Sequence, residues 1–245
     1  MSETKFLLCG ESAVSVELGD EISETVNARV RAFALTLERA KIPGIVETVP
    51  SYRALMVCYD PLILPYDALI SVLKEQLAHS GSYPLPPASV LELPVLYGGE
   101  LGPDLAFVAQ HAGKTEQEVI NIHTSRDYLI YMIGFTPGFT YLGGMSEEIA
   151  TPRLATPRVK IPAGSVGIGD TQTGVYPIDS PGGWRLIGHT PVRLYDSLRE
   201  KAILPEAGQY IRFRAVDRAE YDAICAEVAA GRYICPCYPK EEVQP

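Results

Sequence analysis

The sequence predicts an α+β protein with two parts, a small N-terminal α+β sandwich and a larger C-terminal region rich in β-strands. Three features of the 245-residue chain support this. Strand-like and helix-like hydrophobic periods alternate over residues 1–80. A segment rich in proline, glycine and serine follows at residues 80–89 and is predicted to be a linker. Short strands between glycine turns fill the chain beyond residue 164, which is typical of a β-barrel or a β-sandwich.

In the N-terminal part, apolar and polar residues alternate in short runs that predict strands at residues 5–9, 13–18, 45–49 and 52–59. Apolar residues recur every three or four positions from Ile22 to Leu37, which predicts an amphipathic helix. Pro65 starts a second helix, whose buried stripe is Leu69, Leu73 and Leu77. The order ββαββα, or βαββα if the first two strands are one, predicts a small α+β sandwich.

We place the domain boundary in the linker, which gives an N-terminal domain of residues 1–82 and a C-terminal domain of residues 83–245. In the second domain the predicted strands are residues 90–97, 127–135, 165–168, 175–178, 192–195 and 210–215. Predicted helices are residues 103–111, 115–123 and 218–230. Thr115 and Glu118 form a capping-box pattern at the start of the second of these helices.

Composition and charge exclude several classes of protein. The net charge of −9 argues against binding to nucleic acid or to a membrane surface, since both require a basic footprint. No long apolar run and no secretion signal is present, so we expect a cytoplasmic protein. Five cysteines without such a signal indicate reduced thiols. The CPC sequence at residues 235–237 has no further ligand nearby, so no metal site is predicted.

Glycine is concentrated in one stretch, residues 134–191, which contains 11 of the 21 glycines. Glycine permits tight turns and lets a ligand approach the backbone, and exposed N–H groups in such turns bind anions. Basic residues outnumber acidic ones between residues 151 and 190: Arg153, Arg158, Lys160 and Arg185 against Asp170 and Asp179. This local excess favours a carboxylate or phosphate ligand. Glycines that only form the turns of a β domain explain the composition equally well.

No nucleotide-binding or hydrolase motif resolves these two interpretations. The chain lacks the phosphate-binding pattern GxxxxGK[ST], and the GxSxG pattern fails by one position at Ser165. His189 follows a glycine, at a position suited to proton transfer. His123 ends a predicted helix, where we expect it to interact with the helix dipole. Trp184, the only tryptophan, is either a core residue or an aromatic wall for a ligand.

Three ordered motifs lie within residues 134–191. They are GFTPGFTYL at residues 134–142, PRLATPRVKIPAGSV at residues 152–166, and QTGVYP with SPGGW and GHTP at residues 172–191. Together they resemble the family of the 5-oxoprolinase B subunit, also called allophanate hydrolase subunit 1, which includes the sporulation kinase-A inhibitor protein. GESA at residues 10–13 and VPSY at residues 49–52 also fit, so the resemblance covers most of the chain.

The resemblance implies a cyclophilin-like β-barrel as the C-terminal domain and two partners, the related C subunit and the A subunit of the same enzyme. It implies an ATP-dependent 5-oxoprolinase, with Mg²⁺ as a candidate metal. This enzyme opens the lactam of a small-molecule substrate, 5-oxo-L-proline, to glutamate, and the chain is inactive without its partners. Candidate residues for binding the substrate or anions are Arg153, Arg158, Lys160, Ser165, Gln172, Ser180 and Trp184. His189 and Gln172 are the candidates for catalysis, and Gln172 and Ser180 suit hydrogen bonds to the ring amide.

The sequence departs from the family pattern at two positions. His189 stands where the family has arginine, and Gly169-Asp170 stands where Ala-Gly is usual. Two other functions fit the resemblance. One is a regulatory protein that inhibits a sensor histidine kinase. The other, ranked last, is a carboxyltransferase role like that of urea amidolyase, which requires a biotin carrier that this chain lacks.

Overall fold

The computed structural model describes residues 3–81 and 84–240. Tertiary contacts divide the chain into two units, Met1–Pro87 and Ala88–Pro245. The boundary that we placed between residues 82 and 83 lies outside the described residues. In the first unit the elements are β1 (Lys5–Leu8), β2 (Ala13–Glu17), α1 (Glu24–Ala40), β3 (Ile45–Pro50), β4 (Ala54–Tyr59) and α2 (Tyr66–Ala78).

The first unit is a two-layer sandwich of one sheet and two helices. Its four strands are antiparallel in the order β1-β2-β4-β3. Alternate residues of β2 and β4 are buried and pack in one cluster with Phe33 of α1 and with Leu69 and Leu73 of α2. Helix α1 begins at Ser23, whose side chain accepts the Val26 N–H. The predicted ββαββα order is therefore confirmed.

The second unit contains ten strands, three α-helices and a 3₁₀ helix within the described residues. They are β5 (Ser89–Tyr97), α3 (Leu105–Ala112), α4 (Glu116–Thr124), β6 (Asp127–Ile133), β7 (Thr140–Gly143), the 3₁₀ helix (Glu147–Ile149), β8 (Arg158–Ile161), β9 (Ser165–Gly169), β10 (Gln172–Val175), β11 (Ser180–Gly182), β12 (Arg185–His189), β13 (Tyr210–Ala215), α5 (Arg218–Ala229) and β14 (Cys237–Pro239).

The main sheet of this unit is a nearly closed barrel. Its strand order is β10-β9-β12-β5-β13-β6-β7, with β14 paired to β5, and β10 lies beside β7. The strands β8 and β11 form a separate two-stranded ribbon. A sandwich followed by such a barrel confirms the predicted α+β fold class. The capping box of Thr115 and Glu118 at the start of α4 is also confirmed.

Two predicted strands of the barrel are wrong in position. The strand expected at residues 175–178 is β10, which ends at Val175, and the strand expected at residues 192–195 is replaced by β12. Pro177 and Pro191 cannot donate to a strand ladder, so the chain turns at each of them. Every residue of β9 is buried, and so is the centre of β12, so neither shows the alternating pattern by which a half-buried strand is recognised.

His123 is fully buried in the core of the second unit, so the expected interaction with a helix dipole is wrong. The Thr173 hydroxyl donates to the Gly167 carbonyl at 3.0 Å and therefore accepts from His123 Nε2 at 2.8 Å. His123 Nδ1 then accepts from the Tyr97 hydroxyl at 2.7 Å. Burial lowers the pKa of His123 to about 3, so the ring stays neutral.

Neutral His123 makes folding stability depend on pH. In the unfolded chain a histidine has a pKa of about 6.5, so below that value only the unfolded state takes up this proton until the pH nears 3. The free energy of unfolding should therefore fall by about 1.4 kcal/mol per pH unit from this residue as the pH drops from about 5.5 to about 4. Urea titrations of wild type and of His123→Gln, which does not titrate, measure the difference. Parallel pH profiles for the two proteins would contradict the prediction.

Candidate functional site

A cavity of about 290 Å³ opens on the second unit beside the β8–β11 ribbon. Its size suits a small molecule. Aromatic rings and a glycine-rich segment form most of its wall, and the lining residues are Phe135, Phe139, Tyr141, Arg153, Gln172, Tyr176, Pro181, Gly182, Gly183 and Trp184. The cavity lies within the stretch that the sequence singled out, and it contains three of the predicted site residues: Arg153, Gln172 and Trp184.

Trp184 lies directly on the backbone of two glycine-bearing strands. A Cβ atom at Gly169 would come within 2.3 Å of the indole, and one at Gly174 within 3.1 Å. The rings of Phe139 and Tyr176 meet the indole edge-on, with centroids 5.8 and 6.1 Å away. Trp184 is only 9% exposed. It is therefore both of the things the sequence left open, a core residue and a wall of the cavity.

Phe135 is held at the rim of the cavity by a strained turn. Its φ is +64°, and the Thr136 N–H donates to the Gly134 carbonyl at 2.7 Å across it. This is the pattern of the rare γ-turn, which a side chain at its centre makes costly. The ring is 70% exposed and packs edge-on against Phe139. An exposed phenylalanine fixed in this way provides an apolar contact for a ligand.

The polar groups of the cavity are few. Arg153 Nε donates to a carboxylate oxygen of Asp170 at 2.8 Å. Gln172 begins β10, next to the turn that carries Asp170. Burial raises the pKa of Tyr176, so its hydroxyl remains a donor at neutral pH. One cation and neutral hydrogen-bonding groups among aromatic rings suit a small cyclic ligand with one negative charge.

Two predicted anion-binding residues are paired with carboxylates and do not line the cavity. Arg158 Nη2 lies 2.9 Å from the half-buried Asp104 carboxylate, and Arg158 Nη1 donates to the Trp184 carbonyl at 3.3 Å. Asp104 also accepts the Leu186 N–H at 2.7 Å. Arg158 therefore braces the segment that carries Trp184. Lys160 forms an exposed ion pair with Asp179 at 2.8 Å.

The remaining predicted residues lie beside the cavity rather than in its wall. Ser165 is buried in β9, and Ser180 pairs with Ile161 in the ribbon. His189 Nε2 lies 2.8 Å from the Ala163 carbonyl and must donate to it. His189 Nδ1 then accepts from the Tyr221 hydroxyl, also at 2.8 Å. Both ring nitrogens thus hold the Ala163 turn, and burial lowers the pKa of His189.

Sequence reasoning missed the aromatic walls and the role of Asp170. Phe135, Phe139 and Tyr141 belong to one motif that the sequence shows clearly, but no local pattern tells a cavity wall from a core residue. Asp170 follows Gly169 in a tight turn, and an acidic residue at that place was the available signal.

The described residues contain no group of three or more His, Cys, Asp or Glu side chains placed to hold a metal ion. In this same part of the chain, no helix combines the length and apolar character required to cross a bilayer.

The barrel and its aromatic, arginine-bearing cavity define a small-molecule-binding domain. The family model "carboxyltransferase domain, subdomain C and D" matches residues 4–204, and the chain belongs to this family. The Bacillus subtilis protein named as the B subunit of 5-oxoprolinase is 42% identical over 224 residues, which are 87% of this chain and 93% of that protein.

Solved structures show the same fold. The crystal structure of TTHA0988 is 37% identical with a TM-score of 0.74 over 84% of this chain, which spans only 40% of that longer chain. The K. lactis urea amidolyase is 18% identical with a TM-score of 0.79 over 97% of this chain and 16% of its own. At that identity the second similarity shows the fold alone.

Replacing Gly169 with alanine should displace the indole of Trp184, because the added methyl group would overlap it. We expect a shift in the emission of this sole tryptophan and a loss of stability of about 1–3 kcal/mol. Gly134→Ala is the matched control, since its nearest neighbouring atom would lie 4.0 Å away. Unchanged emission in Gly169→Ala would contradict the packing described above.

Replacing Arg158 with alanine should destabilise the fold, because the Asp104 carboxylate would lose its charged partner in a half-buried position. The expected loss is about 1–3 kcal/mol in urea unfolding. Lys160→Ala removes a partner from an exposed carboxylate and should destabilise the fold less. Equal losses in the two variants would mean that Arg158 does not brace the fold.

Proposed function

We propose that this chain is the B subunit of an ATP-dependent 5-oxoprolinase, which works in the cytoplasm and opens 5-oxo-L-proline to L-glutamate. The observation that carries the proposal is the combination of the family with the cavity. The Bacillus subtilis relative, named for the same position in 5-oxoprolinase, matches along 93% of its length. The wall of the cavity has the size and the single positive charge that suit a five-membered lactam carrying one carboxylate.

The chemical character of the wall supports this substrate. Trp184 and Tyr176 offer flat apolar contacts to the carbons of the ring. Arg153 supplies the guanidinium for the carboxylate, which is the charge-assisted pairing that binds most strongly. Gln172 carries both a donor and an acceptor, so it matches the N–H and C=O of a lactam. A site of this kind binds and orients the amide before its carbonyl is activated.

The site of ATP is proposed to lie with the partner proteins, or to be shared with them. The cavity is lined by one cation, and the described residues contain no carboxylate cluster suited to Mg²⁺, so a magnesium-bound triphosphate does not fit it. We propose the A and C subunits of the enzyme as the partners and expect this chain to be inactive without them. TTHA0988 supports a joined arrangement, because its chain continues far beyond the part that matches this one.

Reconstitution tests the function. Mixed with its two proposed partners, this chain should support the formation of glutamate from 5-oxoproline with hydrolysis of ATP, and omitting it should abolish the product. Glutamate formation that continues without this chain would overturn the proposal.

Replacing Arg153 with alanine tests the cavity in the same assay. The loss of a charge-assisted hydrogen bond should raise the KM for 5-oxoproline by roughly tenfold or more. The matched control is Arg232→Ala, which removes a similarly exposed, ion-paired arginine beyond the end of α5. A KM for Arg153→Ala equal to that of Arg232→Ala would place the substrate elsewhere.

A further inference from the structure

Asp170 occupies a backbone conformation that favours glycine. Gly169 pairs with Gln172 across β9 and β10, so Asp170 and Thr171 form a two-residue hairpin turn. The φ of Asp170 is +57°, a value that glycine adopts without strain and that most side chains resist. A side chain retained at such a position indicates that the side chain itself has a use.

The backbone around Asp170 fixes where its carboxylate lies. Thr151 and Asp170 exchange two backbone hydrogen bonds, at 3.1 and 2.8 Å. This bridge brings the segment of Arg153 to the hairpin turn, and the Asp170 carboxylate accepts from Arg153 Nε at 2.8 Å. The pair is therefore held by the main chain on both sides, unlike an ion pair between two free surface side chains.

The Arg153 guanidinium is held by one nitrogen only. Within the described residues Nη1 and Nη2 have no protein partner, and the side chain lines the cavity. Arg158 differs, since both of its terminal nitrogens bind protein groups. Arg232 uses Nε and Nη2 together on Glu227. Arg153 alone of these three keeps the edge formed by its two terminal nitrogens, and that edge matches a carboxylate in a bidentate pair.

We propose that Asp170 is a positioning residue that holds Arg153 by Nε and so presents its terminal nitrogens to the carboxylate of a ligand in the cavity. Asp170 thereby makes the cavity selective for cyclic molecules that carry a carboxylate. The choice of 5-oxoproline as the ligand rests on the proposed function, whereas the selectivity for a carboxylate does not.

The test compares two probes that differ only in the carboxylate, 5-oxoproline and 2-pyrrolidinone. Binding to the full chain is measured by calorimetry and by quenching of Trp184. Wild type should prefer 5-oxoproline. Asp170→Gly should bind 5-oxoproline roughly tenfold more weakly and 2-pyrrolidinone equally well. Asp170→Asn, which keeps an acceptor for Arg153 Nε, should retain part of the preference.

Stability provides a second readout of opposite sign. Asp170→Gly relieves the strained φ, so its urea midpoint should rise while its affinity for 5-oxoproline falls. The control is Lys41→Gly, because Lys41 has a φ of +45° at the end of α1, in the other unit. That variant should gain stability without any change in binding.

Two results would overturn the inference. One is a wild-type chain that binds both probes equally, and the other is an Asp170→Gly variant that binds 5-oxoproline as well as wild type or better. The second result would make Asp170 a competitor of the ligand. Failure of the proposed function gives a different pattern, since an inactive reconstituted complex is compatible with full carboxylate selectivity in this chain.

Discussion

The contact between Trp184 and the glycine backbone of β9 and β10 is the constraint on which the cavity depends. An indole can lie flat on a strand only where no Cβ atom stands in its way, and Gly169 and Gly174 provide that space. Once the indole is fixed, Phe139 and Tyr176 pack against it edge-on, as aromatic rings prefer. The glycines of this stretch therefore do more than form turns, because they provide the surface on which a rigid aromatic wall is built.

The arginines of the stretch divide according to which nitrogens they use on the protein. Arg158 uses its terminal nitrogens on Asp104 and on the Trp184 carbonyl, so its charge stabilises the wall. Arg153 uses only Nε and keeps its terminal nitrogens for the cavity. A cation that is fully paired supports the structure, whereas one that is half paired and lines a cavity is arranged for a ligand. This distinction depends on individual atoms and does not show in the net charge.

The sequence predicted the elements whose signals are local and missed what depends on distant residues. Helix α4 was identified by its capping box, and β13 by its length and apolar residues. The sequence could not separate Arg158 from Arg153, because the partner of Arg158 lies 54 positions away, at the start of α3. Strand β12 was missed because its buried centre lacks the two-residue alternation of a half-buried strand. The aromatic walls shared the last limitation, since only folding shows which rings face a cavity.

Backbone strain separates what this fold needs from what the site needs. Among the described residues, the non-glycine residues with positive φ are Lys41, Phe135 and Asp170. Lys41 ends a helix, where a left-handed residue is common. Phe135 and Asp170 have no such reason, and glycine would satisfy either turn with less strain. Phe135 places a ring at the rim of the cavity, and Asp170 holds the arginine that lines it. Strain that a simpler residue would remove persists at the two positions where a side chain meets the site, which is where selection for binding outweighs selection for stability.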